Sequence, residues 1–135
     1  MRQLIIMGSI LMLYSGIFAQ VKTISNVPSP HGGQIQQADN YFIEMLFSTR
    51  DTYVYLYDMN VKPLNNTGIT GKLFFEQYDH TTTVIELEPA QENTFVAKTN
   101  VPVYLLCDVE LDIRGKKIST QFGYLDSISD RQKGN

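Results

Sequence analysis

Cysteine is almost missing from this chain of 135 residues, which contains Cys107 alone. No internal disulfide can form, so the hydrophobic core has to hold the fold together. Cys107 alternates with Leu105, Val109 and Leu111 in an apolar run, which predicts a buried thiol that acts as a small hydrophobic side chain. A catalytic or metal-binding thiolate would need partial exposure and a nearby positive group, and the sequence indicates neither.

Basic residues and histidine are also few, with 11 Lys and Arg against 14 Asp and Glu, and two histidines. Without a basic run the chain does not fit a nucleic-acid-binding protein, whose affinity depends on Lys and Arg contacts to phosphate. His31 and His80 stand in no metal-ligand spacing such as His-x-His, and no nucleophile elbow or phosphate loop is present. The sequence therefore favours a non-enzymatic protein.

A long apolar run occurs only near the start, where residues 1–19 are typical of a secretory signal peptide. Arg2 supplies the positive charge, residues 4–18 are mostly apolar, and Ala19 precedes the expected cut. The run is shorter than the roughly 20 residues that a membrane-spanning helix needs. We therefore expect a periplasmic or secreted protein with no stable membrane insertion after cleavage.

The rest of the chain predicts one β-rich domain. Residues 20–30, with Pro28 and Pro30, read as an extended leader, 31–125 as the domain, and 126–135 as a flexible polar tail. The predicted strands are 33–37, 41–48, 52–57, 72–78, 82–87, 94–98, 103–113 and 117–124. Seven or eight short strands with close turns predict an antiparallel β-sandwich, with an immunoglobulin-like arrangement favoured and a small barrel as the alternative.

The last two predicted strands form a hairpin with Arg114-Gly115 as its turn, because Gly tolerates the positive φ of tight turns. A two-residue loop places Ile113 opposite Lys116. Leu111 then faces Ile118, Val109 faces Thr120 and Cys107 faces Phe122. Inward residues meet inward residues throughout, so the register is self-consistent.

Glu44 is unusual because it lies inside the apolar stretch Tyr-Phe-Ile-Glu-Met-Leu-Phe that begins at residue 41. It either faces solvent or is a buried carboxylate that needs a cation or a hydrogen-bond donor. A three-residue loop at 38–40 would set Gln34 opposite Glu44 and leave His31 about 10 Å away. His31 and Glu44 can then meet only if Gly32-Gly33 folds the chain back.

Tyr53, Tyr55 and Tyr57 share one face of the third predicted strand, and Val54 and Leu56 share the other. If the aliphatic pair points into the core, the tyrosines form an exposed outward ladder. Cross-strand packing alone can account for such a ladder. Aromatic strips also make protein contacts, so both interpretations stay open.

Several short motifs lie along the chain: His31-Gly32-Gly33, Tyr41-x-Ile43-Glu44, Tyr55-Leu56-Tyr57-Asp58, Pro63-Leu64, Gly71 before a strand and the Gly115 hairpin. This pattern resembles small exported β-sandwich domains of Gram-negative bacteria. These domains occur alone or at the periplasmic end of heavy-metal efflux adaptors of cobalt-zinc-cadmium and copper exporters. The resemblance implies metal binding in the periplasm, with His31 and Glu44 as the matching polar positions.

The adaptor's coiled-coil hairpin, lipoyl domain and membrane-proximal domain have no counterpart in this sequence, so the resemblance implies a stand-alone accessory. We therefore expect a non-enzymatic binding module for copper or zinc, with envelope or efflux proteins as its partners. The alternative is an envelope interaction domain that uses Tyr53, Tyr55 and Tyr57.

Overall fold

The computed structural model describes residues 27–48, 50–100 and 104–123. The predicted signal peptide, the tail and part of the leader lie outside these residues. The described strands are β1 Gln34–Ala38, β2 Tyr41–Leu46, β3 Asp51–Tyr57, β4 Ile69–Glu76, β5 Thr82–Pro89, β6 Thr94–Lys98, β7 Leu106–Ile113 and β8 Lys116–Gly123. All eight predicted strands are present, but β4 begins at Ile69 and so contains Gly71, which was expected to precede it, and β7 begins at Leu106, later than predicted. No helix in the described ranges is long and apolar enough to cross a membrane.

The strands form a single antiparallel sheet in the order β1-β2-β3-β6-β5-β4-β7-β8. Its two outer strands approach each other, because Gln34 Nε2 donates a hydrogen bond to the Gly123 carbonyl at 3.3 Å. An ion pair between Lys116 and Asp39 joins the same two strands at their turns. The sheet is therefore nearly closed and barrel-like, which is closer to the small barrel than to the immunoglobulin-like sandwich.

One short pairing explains this departure from the favoured sandwich. Glu88 of β5 pairs with Val96 of β6, and Pro89 pairs with Phe95. Because β5 also pairs with β4 along its length, the two halves of the protein are joined edge to edge. A sandwich would keep these halves as two separate sheets packed face to face.

The β7–β8 hairpin has the predicted register, including Ile113 opposite Lys116 and Cys107 opposite Phe122. Arg114 and Gly115 have φ values of 54° and 86°, as expected when both residues of a two-residue turn take positive φ. The β1–β2 hairpin differs from the prediction.

In the β1–β2 hairpin the loop has two residues, not three, so Ala38 faces Tyr41 and Ile35 faces Glu44. Asp39 makes the shorter turn possible with a φ of 54°, a conformation that Asp tolerates better than most residues.

The main core lies inside the curved sheet and contains the inward side chains of every strand. Val54 and Leu56 belong to it, so the predicted inward face of β3 is confirmed. Cys107 is also buried there, which confirms the expectation of a buried thiol, and burial raises the pKa of that thiol. The other large core side chains are Ile43, Leu73, Phe75, Phe95, Tyr104, Val109, Leu111 and Phe122.

A second apolar cluster covers the opposite face of β2 and β3. Phe42, Tyr55 and Tyr57 are its buried members. The half-buried side chains packed against them are Val27, Ile35, Leu46, Tyr53 and Val61. This outer cluster, as we call these residues, surrounds the candidate site.

Candidate functional site

Glu44 projects from β2 into the outer cluster, because Ile43 and Met45 on either side of it point into the main core. An outward side chain on a strand would ordinarily reach solvent, but the Glu44 side chain has an exposed fraction of 0%. Residues 29–33 cross over it and exclude water. The second of the two interpretations is therefore confirmed: Glu44 is a buried carboxylate with hydrogen-bond donors.

The covering segment is a tight turn just before β1. Gly32 N donates to the Ser29 carbonyl at 3.1 Å, and Gly32 has a φ of 73°, a left-handed conformation that favours glycine. Gly33 then passes so close to β2 that a Cβ atom there would lie 2.5 Å from the Met45 carbonyl oxygen. Gly32-Gly33 therefore folds the chain back, which was the condition for His31 and Glu44 to meet, and the bend brings the backbone of residues 31–33 directly over Glu44.

Glu44 Oε1 accepts hydrogen bonds from the turn itself. The backbone N–H groups of His31 and Gly33 each donate to it at 2.9 Å. The Ser29 hydroxyl has one proton and two acceptors within reach, Glu44 Oε1 at 2.7 Å and the Gly33 carbonyl at 2.6 Å. One carboxylate oxygen thus holds the whole turn against the sheet.

Glu44 Oε2 faces the other way, towards two side chains. The Tyr57 hydroxyl donates to it at 2.8 Å, and His31 Nδ1 lies 3.1 Å away. Nδ1 is also 2.9 Å from the Tyr57 oxygen. Because the Tyr57 proton is given to Oε2, the network assigns a further proton to His31 Nδ1, which donates to the carboxylate.

The hydrogen bonds determine the charge state of this group. Burial alone would raise the pKa of Glu44, but bonds from Ser29, Gly33, Tyr57 and His31 outweigh it and lower the pKa below the ordinary 4.5. Burial, followed by the hydrogen bond to Glu44 and its charge, raises the pKa of Tyr57. At neutral pH the site therefore contains a carboxylate and a protonated phenol.

The His31 ring is held from two directions. Nδ1 is turned inward to Glu44, and the ring stacks on Tyr55 with centroids 3.7 Å apart and planes 5° from parallel. The His31 side chain nevertheless has an exposed fraction of 42%. Within the described ranges Nε2 has no hydrogen-bond partner. With the proton on Nδ1, the Nε2 lone pair is available to a ligand.

The structure thus brings His31 and Glu44 together, as their predicted metal role requires, but the two side chains are not equally available to a metal ion. Both Glu44 oxygens are engaged, and the carboxylate could contact a metal ion only by giving up those bonds. Glu44 instead orients the imidazole. Among the described residues, no group of three or more His, Cys, Asp and Glu side chains could hold a metal ion.

The expectation of an exposed tyrosine ladder is wrong for two of its three members. Tyr55 and Tyr57 have exposed fractions of 8% and 1%. Val27 of the leader and the turn at 29–33 cover them. Strand alternation shows only that the two tyrosines face outward, and it does not show that the leader packs over them. Tyr53 is half-buried, and it lies between Leu46 of β2 and Val96 of β6 in the sheet.

His80 provides a useful contrast on the turn between β4 and β5. Its Nδ1 is also 3.1 Å from a carboxylate oxygen, that of Glu76, but its side chain has an exposed fraction of 79%. No ring stacks on it among the described residues. The expectation that His80 is an ordinary surface residue fits this position.

Two residues of the site escaped the sequence interpretation, Ser29 and the hydroxyl of Tyr57. A signal was present for both, because a carboxylate in a strongly apolar strand must find donors. Ser29 is the polar residue two positions before His31, and Tyr57 shares a strand face with the residue opposite Glu44.

Comparison with family models, with curated proteins and with solved structures found no match for this chain. The candidate function therefore rests on the geometry of the described residues and on the sequence.

Proposed function

We propose that this protein is an exported, non-enzymatic binding module that binds a transition metal ion, copper or zinc, through His31 Nε2. The observation that carries the proposal is the 3.1 Å contact between His31 Nδ1 and the buried Glu44 Oε2. Histidines that bind metals almost always donate their other ring N–H to a carboxylate, a carbonyl or water. Zinc and copper are among the transition metals that a neutral imidazole nitrogen suits.

The role of Glu44 in this proposal is to hold the imidazole. Its carboxylate accepts the hydrogen bond from Nδ1 and so fixes the tautomer that leaves Nε2 free, and the stack on Tyr55 limits rotation of the ring. Export to the periplasm rests on the predicted signal peptide at 1–19. The resemblance to efflux-associated domains favours envelope or efflux proteins as the source or receiver of the metal.

The test is a titration of the mature protein with Cu(II), Cu(I) and Zn(II), using wild type, His31→Ala and His80→Ala. We expect saturable binding of at least one ion by wild type and loss of that binding in His31→Ala, because His31 supplies the coordinating nitrogen. His80→Ala is the matched control and should bind as wild type does. Equal affinity in wild type and His31→Ala would contradict the proposal.

A second candidate function is an interaction domain for an envelope protein. It is supported by the row of half-buried side chains Leu46, Tyr53 and Val96, which crosses three strands on the outer face without a charged member. Tyr53→Ser should lose a partner that wild type retains in a pull-down from envelope extract. Tyr78→Ser, at a tyrosine exposed in the β4–β5 turn, is the control and should keep it.

A further inference from the structure

The imidazole of His31 can offer a metal ion one coordination bond. Nδ1 is turned to Glu44 Oε2 and to the Tyr57 hydroxyl, at 3.1 Å and 2.9 Å. Tyr55 covers one face of the ring at a centroid distance of 3.7 Å. The part of the ring that remains for a ligand is the edge that carries Nε2.

The donor atoms next to His31 are already committed. The Glu44 carboxylate is fully buried and accepts hydrogen bonds at both oxygens. The Tyr57 phenol is buried, and its proton is given to Glu44. Neither group can supply a second bond without breaking the network that orients the imidazole.

A zinc ion bound by one protein ordinarily takes about three or four side-chain ligands. A site that contributes a single nitrogen leaves most coordination positions of the ion to ligands that the protein does not supply. The surface beside the site suits an organic ligand of that kind. Tyr53 continues the aromatic stack, 6.4 Å from Tyr55, and its cross-strand neighbours Leu46 and Val96 are half-buried and apolar.

We infer that His31 binds copper or zinc in partly chelated form, as a complex whose organic chelator fills the other coordination positions. This inference rests on the proposed metal-binding function and names the class of substrate. The chelator keeps the ion, and His31 Nε2 replaces one water molecule in its coordination sphere. Binding then depends little on whether the remaining positions hold water or a chelator.

The test uses NMR of the full chain, titrated with Zn(II) and with Zn(II)–iminodiacetate, which chelates zinc through its amine and both carboxylates. The protein has two histidines, so each imidazole Cε1–H signal reports on one site. We expect the His31 signal to respond to both forms of zinc, with dissociation constants that agree within about tenfold. His80 is the internal control and should respond only at higher concentrations of either form.

Four results would overturn the inference. The first is chelated zinc that binds at His31 more than about tenfold more weakly than free zinc, which would show that the protein supplies further ligands. The second is a His80 response at the same concentrations as His31, which would show ordinary surface binding. If free zinc shifts the His31 signal and chelated zinc does not, the inference fails and the proposed function stands. If neither form of zinc shifts the His31 signal, the proposed function fails as well.

Discussion

The imidazole of His31 lies flat against the phenol ring of Tyr55, 5° from parallel at a centroid distance of 3.7 Å. The Glu44 carboxylate accepts a hydrogen bond from Nδ1 at one edge of the same imidazole. The ring is therefore fixed both in position and in rotation before any ligand arrives. Such preorganisation reduces the entropy lost on binding, and each predicted variant below removes one part of it.

Replacing Tyr55 with Leu should weaken metal binding at His31, because the ring loses its stacking partner. An aromatic pair contributes about 0.5–1.5 kcal/mol, so we expect the dissociation constant to rise about two- to tenfold. Tyr55→Phe keeps the ring and should bind as wild type does. The measurement is a zinc titration followed through the His31 signal, with Tyr78→Leu as control because Tyr78 is an exposed residue of the β4–β5 turn.

Replacing Glu44 with Gln should reverse the tautomer of His31. If the amide oxygen keeps the backbone N–H bonds of His31 and Gly33, the amide nitrogen takes the place of Oε2. Because an NH₂ group donates, Nδ1 must accept and the ring proton moves to Nε2. We expect metal affinity to fall about 10- to 100-fold.

The tautomer change is measured from the ring nitrogen shifts in the ¹⁵N NMR spectrum. Glu76→Gln makes the same substitution beside His80 and should leave the His31 shifts unchanged. Protonated Nδ1 in Glu44→Gln would show that Glu44 does not determine the tautomer.

Acid should destabilise wild type more than Glu44→Gln. The pKa of Glu44 is lowered in the folded protein, so the folded state binds the proton less readily than the unfolded chain. The resulting stabilisation is present above the ordinary pKa of 4.5 and is lost as the pH falls through the lowered folded value. Urea unfolding between about pH 6 and pH 3 measures this. Parallel curves for the two proteins would contradict the prediction.

Removing the hydroxyl of Tyr57 should lower the free energy of unfolding by about 1.5–3 kcal/mol, the usual contribution of a hydrogen bond to a charged group. Tyr57→Phe leaves a buried carboxylate oxygen with one donor fewer. Tyr78→Phe, at an exposed position, should stay within about 0.5 kcal/mol of wild type. The two variants are compared by urea unfolding at neutral pH, and equal stabilities would contradict the expected role of Tyr57.

Gly33→Ala should disrupt the site, because the new Cβ would lie 2.5 Å from the Met45 carbonyl oxygen and 3.2 Å from Glu44 Cγ. The turn has to move away from β2, so we expect stability to fall by about 1–3 kcal/mol and metal affinity to fall with it. Gly68→Ala is the control. Its φ of 74° makes Ala strained there, but nothing lies within 4 Å, so stability should fall while metal binding is retained.

The strands were predictable because this chain is locally consistent. Apolar alternation and a Gly in the β7–β8 turn indicate the register from Cys107 opposite Phe122 onward, and the structure agrees. The β1–β2 register was not predictable in the same way. The register depends on a positive φ at Asp39. An Asp-Asn sequence indicates that conformation less clearly than a Gly does.

The closure of the sheet could not be predicted from the sequence either. It depends on β5 pairing with β6 at Glu88 and Pro89, two residues at the end of a strand, where no pattern distinguishes pairing from fraying. The site was predictable in part. An isolated carboxylate in an apolar strand and a flexible Gly pair suggested that His31 and Glu44 could meet, but the cover over Tyr55 and Tyr57 is a tertiary contact with the leader.

The chain enters the sheet at Gln34 and leaves it at Gly123, and the Gln34 side chain bonds directly to the Gly123 carbonyl. Entry and exit are thus neighbours on β1 and β8, next to the His31 turn that leads into β1. A domain with this geometry can be placed within a loop of a larger host protein without forcing the host's ends apart. Grafted there, it would present His31 beside the junction, where host and guest meet.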